Sequence, residues 1–260
     1  EVTQLVVSGD DVFLVASREM GRTCSSVVQS VPRAGGSAKT VISGRCVKHL
    51  AVSDTHVAAL VASYDPVGDW VSAQAWLSAR DKPQQGTKIE FDLPVEGSLA
   101  FANGRLFASH GGGRVYAARL EPNMRFSAVS QNATVRQNFS SADPRAFGVD
   151  AGFAYVYASG ATNTALRVLR VKVDGSAPEV LGGFPRERPT PFGRGFILGE
   201  RWLYFTVPND GAVYRADKQA KCGIEKFAAD RKQPTALALA GGAVHWVEGA
   251  SGGQIVRRRE

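Results

Sequence analysis

The sequence predicts an all-β chain of six similar antiparallel sheets, and three observations carry that prediction. An apolar residue opens a short strand at nearly constant spacing, at Leu5, Leu50, Leu99, Phe147, Phe192 and Leu237, with gaps of 45, 49, 48, 45 and 45 residues. Each opener is followed by a Gly, Asp or Asn turn and then a second β-branched or aromatic run. No stretch carries a persuasive helical pattern. A period of this kind is the mark of a repeat architecture, because each unit buries its apolar face only against a neighbour.

The elements of one unit follow in order. After the opener, Gly9-Asp10-Asp11 leads into Val12-Phe13-Leu14-Val15, Asp150-Ala151-Gly152 into Ala154-Tyr155-Val156-Tyr157, and Gly241-Gly242 into Val244-His245-Trp246-Val247. Such runs between Gly and Asp are hairpin-linked strands. A third strand starts at a Gly followed two residues later by Val or Ile, as in Gly113-Arg114-Val115, Gly211-Ala212-Val213 and Gly253-Gln254-Ile255. A fourth follows another turn, clearest at Val171-Lys172-Val173-Asp174-Gly175 before Glu179-Val180-Leu181. The lysine-rich stretch 215–229 is the best helix candidate, but its counterpart in the fourth unit is strand–turn–strand, so it takes that form too. Pro144, Pro189 and Pro234 precede three openers, where proline costs no ladder hydrogen bond.

Four strands in about 46 residues match the blade of a β-propeller, whose repeats run ~40–45 residues. The expected fold is a six-bladed β-propeller forming one domain over 1–260, with blades at 1–46, 47–94, 95–141, 142–187, 188–232 and 233–260. The last blade has room for three strands. Either it has only three, or residues upstream of Glu1 once supplied the fourth. A chain opening at Glu1 instead of Met reads as processed.

Cys24 and Cys46 are equidistant from residue 35, inside the turn Ala34-Gly35-Gly36. Antiparallel residues placed so face each other at ~4.5–5.5 Å between Cα atoms, within disulfide reach. The pair predicts a disulfide, and with it an extracytoplasmic location: periplasm, cell surface or secreted. Cys222 has no candidate partner. No run of ~18 apolar residues is present, so no membrane-spanning segment is expected.

The net charge is +7, and residues 131–260 carry 18 Lys and Arg against 12 Asp and Glu. That excess suits a protein or acidic polymer as partner. Nothing interleaves basic and aromatic residues as a nucleic-acid module does, so no specific nucleic-acid binding is expected.

Ligands meet a propeller at the end carrying the loops between second and third strands, here 18–23, 64–70, 110–113, 159–164, 208–210 and 249–252. The loop Tyr64-Asp65-Pro66-Val67-Gly68-Asp69-Trp70 departs most from the repeat, and Tyr64, Asp65, Asp69 and Trp70 are the first binding candidates. Lys48, Arg145 and Arg188 join them from the entry loops. Asp65 and Asp69 lack the graded spacing of a calcium loop, and no Cys or His cluster suits zinc, so no metal and no cofactor is expected. Were the chain an enzyme, His49, His110 and Glu96 near the channel mouth would supply acid and base. No hydrolase elbow, zinc-protease helix or phosphate loop is present.

The segment Ala243-Val244-His245-Trp246-Val247-Glu248-Gly249 with Gln254-Ile255-Val256-Arg257 resembles the repeats of six-bladed Tyr-Trp-Thr-Asp-type propellers. It is equally similar to bacterial TolB-like and NHL-like repeats, and the Arg/Ala/Gly-rich composition is of bacterial character. The resemblance covers most of the chain in rhythm and implies the fold. Its families include cell-envelope binding proteins, receptor modules and metal-dependent lactonases or lyases. The expectation drawn is an extracytoplasmic, non-catalytic binding scaffold, with a hydrolase or lyase of the lactonase kind as the alternative.

Overall fold

Among the described residues, consecutive strands pair antiparallel within each sheet. In the computed structural model, residues 2–20, 23–64, 70–82, 85–93, 97–110, 114–120, 127–128, 141–159, 165–173, 179–185, 195–220, 223–249 and 253–260 are described. They fall into two compact units, 1–110 with 116–128, and 111–115 with 129–260.

The first unit begins with β1 (Val2–Ser8), β2 (Asp11–Met20), β3 (Thr23–Pro32) and β4 (Lys39–Val52), continuing through β5 (His56–Tyr64), β6 (Trp70–Ala79) and β7 (Thr87–Leu93). These seven pair in chain order. The long β4 serves two sheets. Its first half pairs with β3 as far as Arg45, opposite Ser26, and from Cys46, opposite Ala62, it pairs with β5. The strand bends away where Gly44 holds φ +71°, a left-handed conformation cheap only for glycine. A third sheet contains β8 (Leu99–Ala102), β9 (Arg105–His110), β10 (Arg114–Arg119) and β11 (Ser127–Ala128).

The second unit holds three sheets. They are β12 (Ser141–Val149) to β15, with β13 (Phe153–Ser159), β14 (Ala165–Lys172) and β15 (Glu179–Pro185); β16 (Phe196–Leu198) to β19, with β17 (Trp202–Val207), β18 (Ala212–Asp217) and β19 (Ile224–Ala228); and a three-stranded sheet of β20 (Pro234–Ala240), β21 (Ala243–Glu248) and β22 (Gln254–Arg259). One 3-10 turn, Pro208–Asp210, joins β17 to β18. The 215–229 stretch is strand–turn–strand, as its repeat counterpart implied.

Pairing register fixes which residue opens each sheet. Leu5, Leu50, Leu99, Phe147 and Leu237 oppose Leu14, Ala59, Ala108, Val156 and Trp246, each three residues before the hairpin closes. In the fifth sheet that place belongs to Phe196, opposite Phe205. Phe192, the residue the period selects, lies outside the described residues. The Arg- and Pro-rich stretch before it shifts the opener by four positions. Pro144 also sits differently from expectation. It lies inside β12, in the irregularity between Asp143 and Phe147, where no ladder N–H is needed.

Facing sheets within each unit bury the second-strand aromatics as packing. Phe13 joins Val28, Leu50 and Val57 between the first two sheets, and Leu60, Leu77, Leu99 and Leu106 fill the space between the next two. Tyr155, Leu181, Leu203 and Phe205 pack together in the second unit, as do Tyr204, Phe227, Val244 and Trp246. Each such side chain contributes about 1.5–3 kcal/mol by leaving water.

Candidate binding surface

Sulfur chemistry marks the first sheet. Cys24 and Cys46 form a disulfide with Cα atoms 5.1 Å apart. The bond closes the point at which β4 leaves β3. Beside it, the buried Ser26 accepts the Val47 N–H at 3.1 Å and shares a hydrogen bond with Ser17 at 2.8 Å. Cys222 lies outside the described residues.

The loop end is only partly described. Tyr64 ends β5 and Trp70 begins β6, and the two pair across the hairpin. Asp65, Asp69, Glu96 and Arg188 lie outside the described residues. His110 ends β9 and Arg145 lies within β12. Lys48 sits in the irregularity between Val47 and His49 of β4, and Arg145 in the one between Asp143 and Phe147 of β12. Both stand two residues before an opener, so the two basic positions are repeat equivalents in their separate units.

His49 is the one candidate acid–base group whose side chain is described. Its Nδ1 accepts the backbone N–H of Leu99 at 3.2 Å, which leaves the proton of the neutral ring on Nε2. Burial lowers its pKa to about 4. A histidine held so stays neutral at physiological pH and ties the second sheet to the third.

That tie repeats along the chain. Gln4, one residue before its opener, grips the next opener: its Nε2 donates to the Leu50 carbonyl at 2.9 Å and its Oε1 accepts the Leu50 N–H at 2.7 Å. His49 holds the same place relative to Leu99. Gly195, one before Phe196, lies against the next opener, for a Cβ there would come 3.0 Å from Leu237 Cγ. A register irregularity falls just before Leu5, Leu50, Phe147 and Leu237.

A second set of ties runs the other way, from the residue just past each third strand. Arg80 donates its N–H to Thr55, Lys218 to Arg201 and Glu260 to Gly242, so the three are repeat equivalents. Arg80 reaches back to Asp11 at 2.6 Å and to Ser8. Lys218 reaches Asp150 at 3.1 Å. Glu260 accepts the Tyr204 hydroxyl at 3.0 Å.

The electrostatics follow from these contacts. Burial pushes Asp150 upward, but the amides of Gly152 and Phe153, Lys218 and the Tyr155 hydroxyl outweigh it and hold the carboxyl below its usual range. Burial raises the Tyr155 phenol, and Asp150 raises it further. Tyr204 is pushed up to about 12 by burial, with the Glu260 hydrogen bond and charge adding to it. Asp217 is lowered by the Gln219 amide and then by Arg201. Among the described residues no three His, Cys, Asp or Glu side chains gather as a metal site would need, and no helix is long and apolar enough to cross a membrane.

No family model matches this chain, and no curated protein matches its sequence. Solved structures do resemble it. An oligogalacturonate lyase in complex with manganese is 9% identical with a TM-score of 0.66, over 96% of this chain and 74% of that one. The AfRom2 CNH domain is 13% identical with a TM-score of 0.60, over 98% and 79%. The β-propeller domain of Myceliophteria thermophila Cps50 (Swd1) is 9% identical with a TM-score of 0.50, over 99% of each chain. At these identities the likeness defines the fold alone. The chain has the fold of the β-propeller class.

Proposed function

We propose that this protein is an extracytoplasmic binding scaffold, a single six-bladed propeller that engages a protein or polymeric partner through its loop-bearing end. The observation that carries this reading is the engagement of His49. Its Nδ1 is spent on the Leu99 amide and its ring is held neutral, which makes it a poor general acid or base. Binding at the loop end needs no such group. There Tyr64 and Trp70 pair in the backbone ladder where their loop opens, and Lys48 and Arg145 hold equivalent positions two residues before an opener.

The Cys24–Cys46 bond supports an oxidising compartment. Six blades are supported by the sheet order, the seven-stranded sheet dividing at Gly44 of β4 and four further sheets following it.

A second reading, a hydrolase or lyase acting at the channel mouth with His49, His110 and Glu96, draws on the likeness to the oligogalacturonate lyase fold. Replacing Tyr64 and Trp70 with alanine separates the two. The scaffold loses capture of its partner from native cell-envelope extract while thermal unfolding stays unchanged. Undiminished capture by the variant removes the loop from the role.

A further inference from the structure

Four arginines that lie over an aromatic ring also hold a carboxylate. Arg80 lies over Phe13 and holds Asp11 at 2.6 Å, and Arg170 lies over Phe153 and holds Glu179 at 2.7 Å. Arg201 and Arg215 both lie over Trp202, and they hold Asp217 at 2.8 Å and Glu225 at 2.5 Å. In each case the guanidinium is stacked on its face and paired at its edge.

Arg45 has the first half of that arrangement. Its guanidinium carbon lies 3.9 Å from the centre of the Trp76 ring. The side chain is exposed, and it makes no ion pair or hydrogen bond among the described residues. Directly across the β6–β7 ladder from Trp76 stands Lys88, exposed and likewise without an ion pair among the described residues. Cross-strand neighbours of this kind lie ~5 Å apart. Two positive groups therefore flank one indole, and no described residue neutralises either.

Both halves of the pair stand on fixed supports. The Arg45 backbone pairs with Ser26, and the next residue, Cys46, is tied to Cys24. Trp76 packs against the core between the first two sheets. Gly86 lies so close to the indole that a Cβ there would fall 1.9 Å from Nε1. A guanidinium fork held on its ring before the ligand arrives loses little freedom on binding.

We propose that Arg45 and Lys88 form a receptor site for neighbouring carboxylates on an acidic segment of a partner protein. Arg45 takes one carboxylate through two parallel N–H···O bonds, and Lys88 takes the second as a point charge. An acidic polysaccharide fits less well. A sugar ring stacks on an open aromatic face, whereas Arg45 covers Trp76 and the same ring packs against the core. The site rests on the scaffold reading for its partner, but it uses no residue of the Tyr64–Trp70 loop.

The test uses a fluorescent Glu-Asp-Glu-Asp peptide, its Gln-Asn-Gln-Asn counterpart and a uronate tetrasaccharide of the same charge. Binding is read by anisotropy at roughly 0.15 M salt, which screens exposed charges more than about 8 Å apart. The acidic peptide should bind at least about tenfold more tightly than either control. Arg45→Lys keeps the charge but loses the fork, and it should cost about tenfold in affinity. Gly86→Ala, which displaces the indole, should weaken binding as well. Variants of Tyr64 and Trp70 should bind the peptide normally even where they lose the partner, so failure of this site and failure of the scaffold reading are told apart. Unchanged affinity in Arg45→Lys would reduce the effect to charge attraction and overturn the proposal. Equal binding of the tetrasaccharide or of the amide peptide would overturn it too.

Discussion

Gln4 holds both backbone polar groups of Leu50, donating to its carbonyl at 2.9 Å and accepting its N–H at 2.7 Å. The amide thus acts as a short piece of ladder between two sheets that do not otherwise pair at that point. Replacing Gln4 with leucine strands both groups of a largely buried residue, and the cost should be about 1–3 kcal/mol. Glutamate keeps the acceptor but loses the donor, and sets a negative oxygen against the carbonyl, so Gln4→Glu should be no better than leucine at neutral pH. Denaturant unfolding of the three proteins checks the order.

His49 makes the equivalent tie with one acceptor, and that makes it a titrating one. Its folded pKa of about 4 lies below the unfolded value near 6.5. Between those values the unfolded chain binds the extra proton. The stability His49 contributes is therefore full above pH 6.5 and is lost as pH falls toward 4, with a limit of roughly 3 kcal/mol. His49→Asn keeps an acceptor for the Leu99 amide without a titrating ring, so it should flatten this limb of the pH–stability curve. An unchanged acid limb in the asparagine variant would mean another group titrates there.

Lys218 and Glu260 occupy one repeat position with opposite charges. Lys218→Met should cost about 1–3 kcal/mol, because it leaves the Asp150 carboxylate half-buried with fewer partners. Asp150 is held low in the fold, so its contribution is present above the usual carboxylate pKa and is lost as pH falls below that toward its lower folded value; the methionine variant should lose less on acidification than the parent. Glu260→Gln should bring the Tyr204 phenol down from about 12, visible in an alkaline absorbance titration.

Thr206 offers a test in the stabilising direction. Its Oγ1 is buried with no hydrogen-bond partner among the described residues. Thr206→Val removes that hydroxyl at nearly constant shape and should be neutral or stabilising by up to about 1 kcal/mol. Gly195→Ala should do the opposite, since its Cβ would fall 2.8 Å from Thr206 Oγ1 and 3.0 Å from Leu237 Cγ. Thermal melts of the two variants decide both signs.

Much of the fold was legible because strand openers are apolar and turns need Gly or Asp. Leu50 and Leu237 announce themselves by spacing and composition. Phe196 did not, because the insertion before it breaks the count and offers Phe192 nearer the expected position. The ties between sheets were hidden for a different reason. Gln4, His49 and Gly195 share a geometry yet no chemistry, and Arg80, Lys218 and Glu260 not even a charge. A repeat of position without a repeat of residue type leaves no trace in a single sequence. The cysteines were legible from symmetry about Gly35, although Gly44 shifts the ladder before it reaches them. Tyr64 and Trp70 stand out in the sequence because their loop departs from the repeat, and the backbone pairs them where that loop opens.

The proposed function rests on six sheets closing radially into one ring, and a crystal structure tests that most directly. The proposal predicts six sheets about a common axis. An open array, or a blade count other than six, would contradict it.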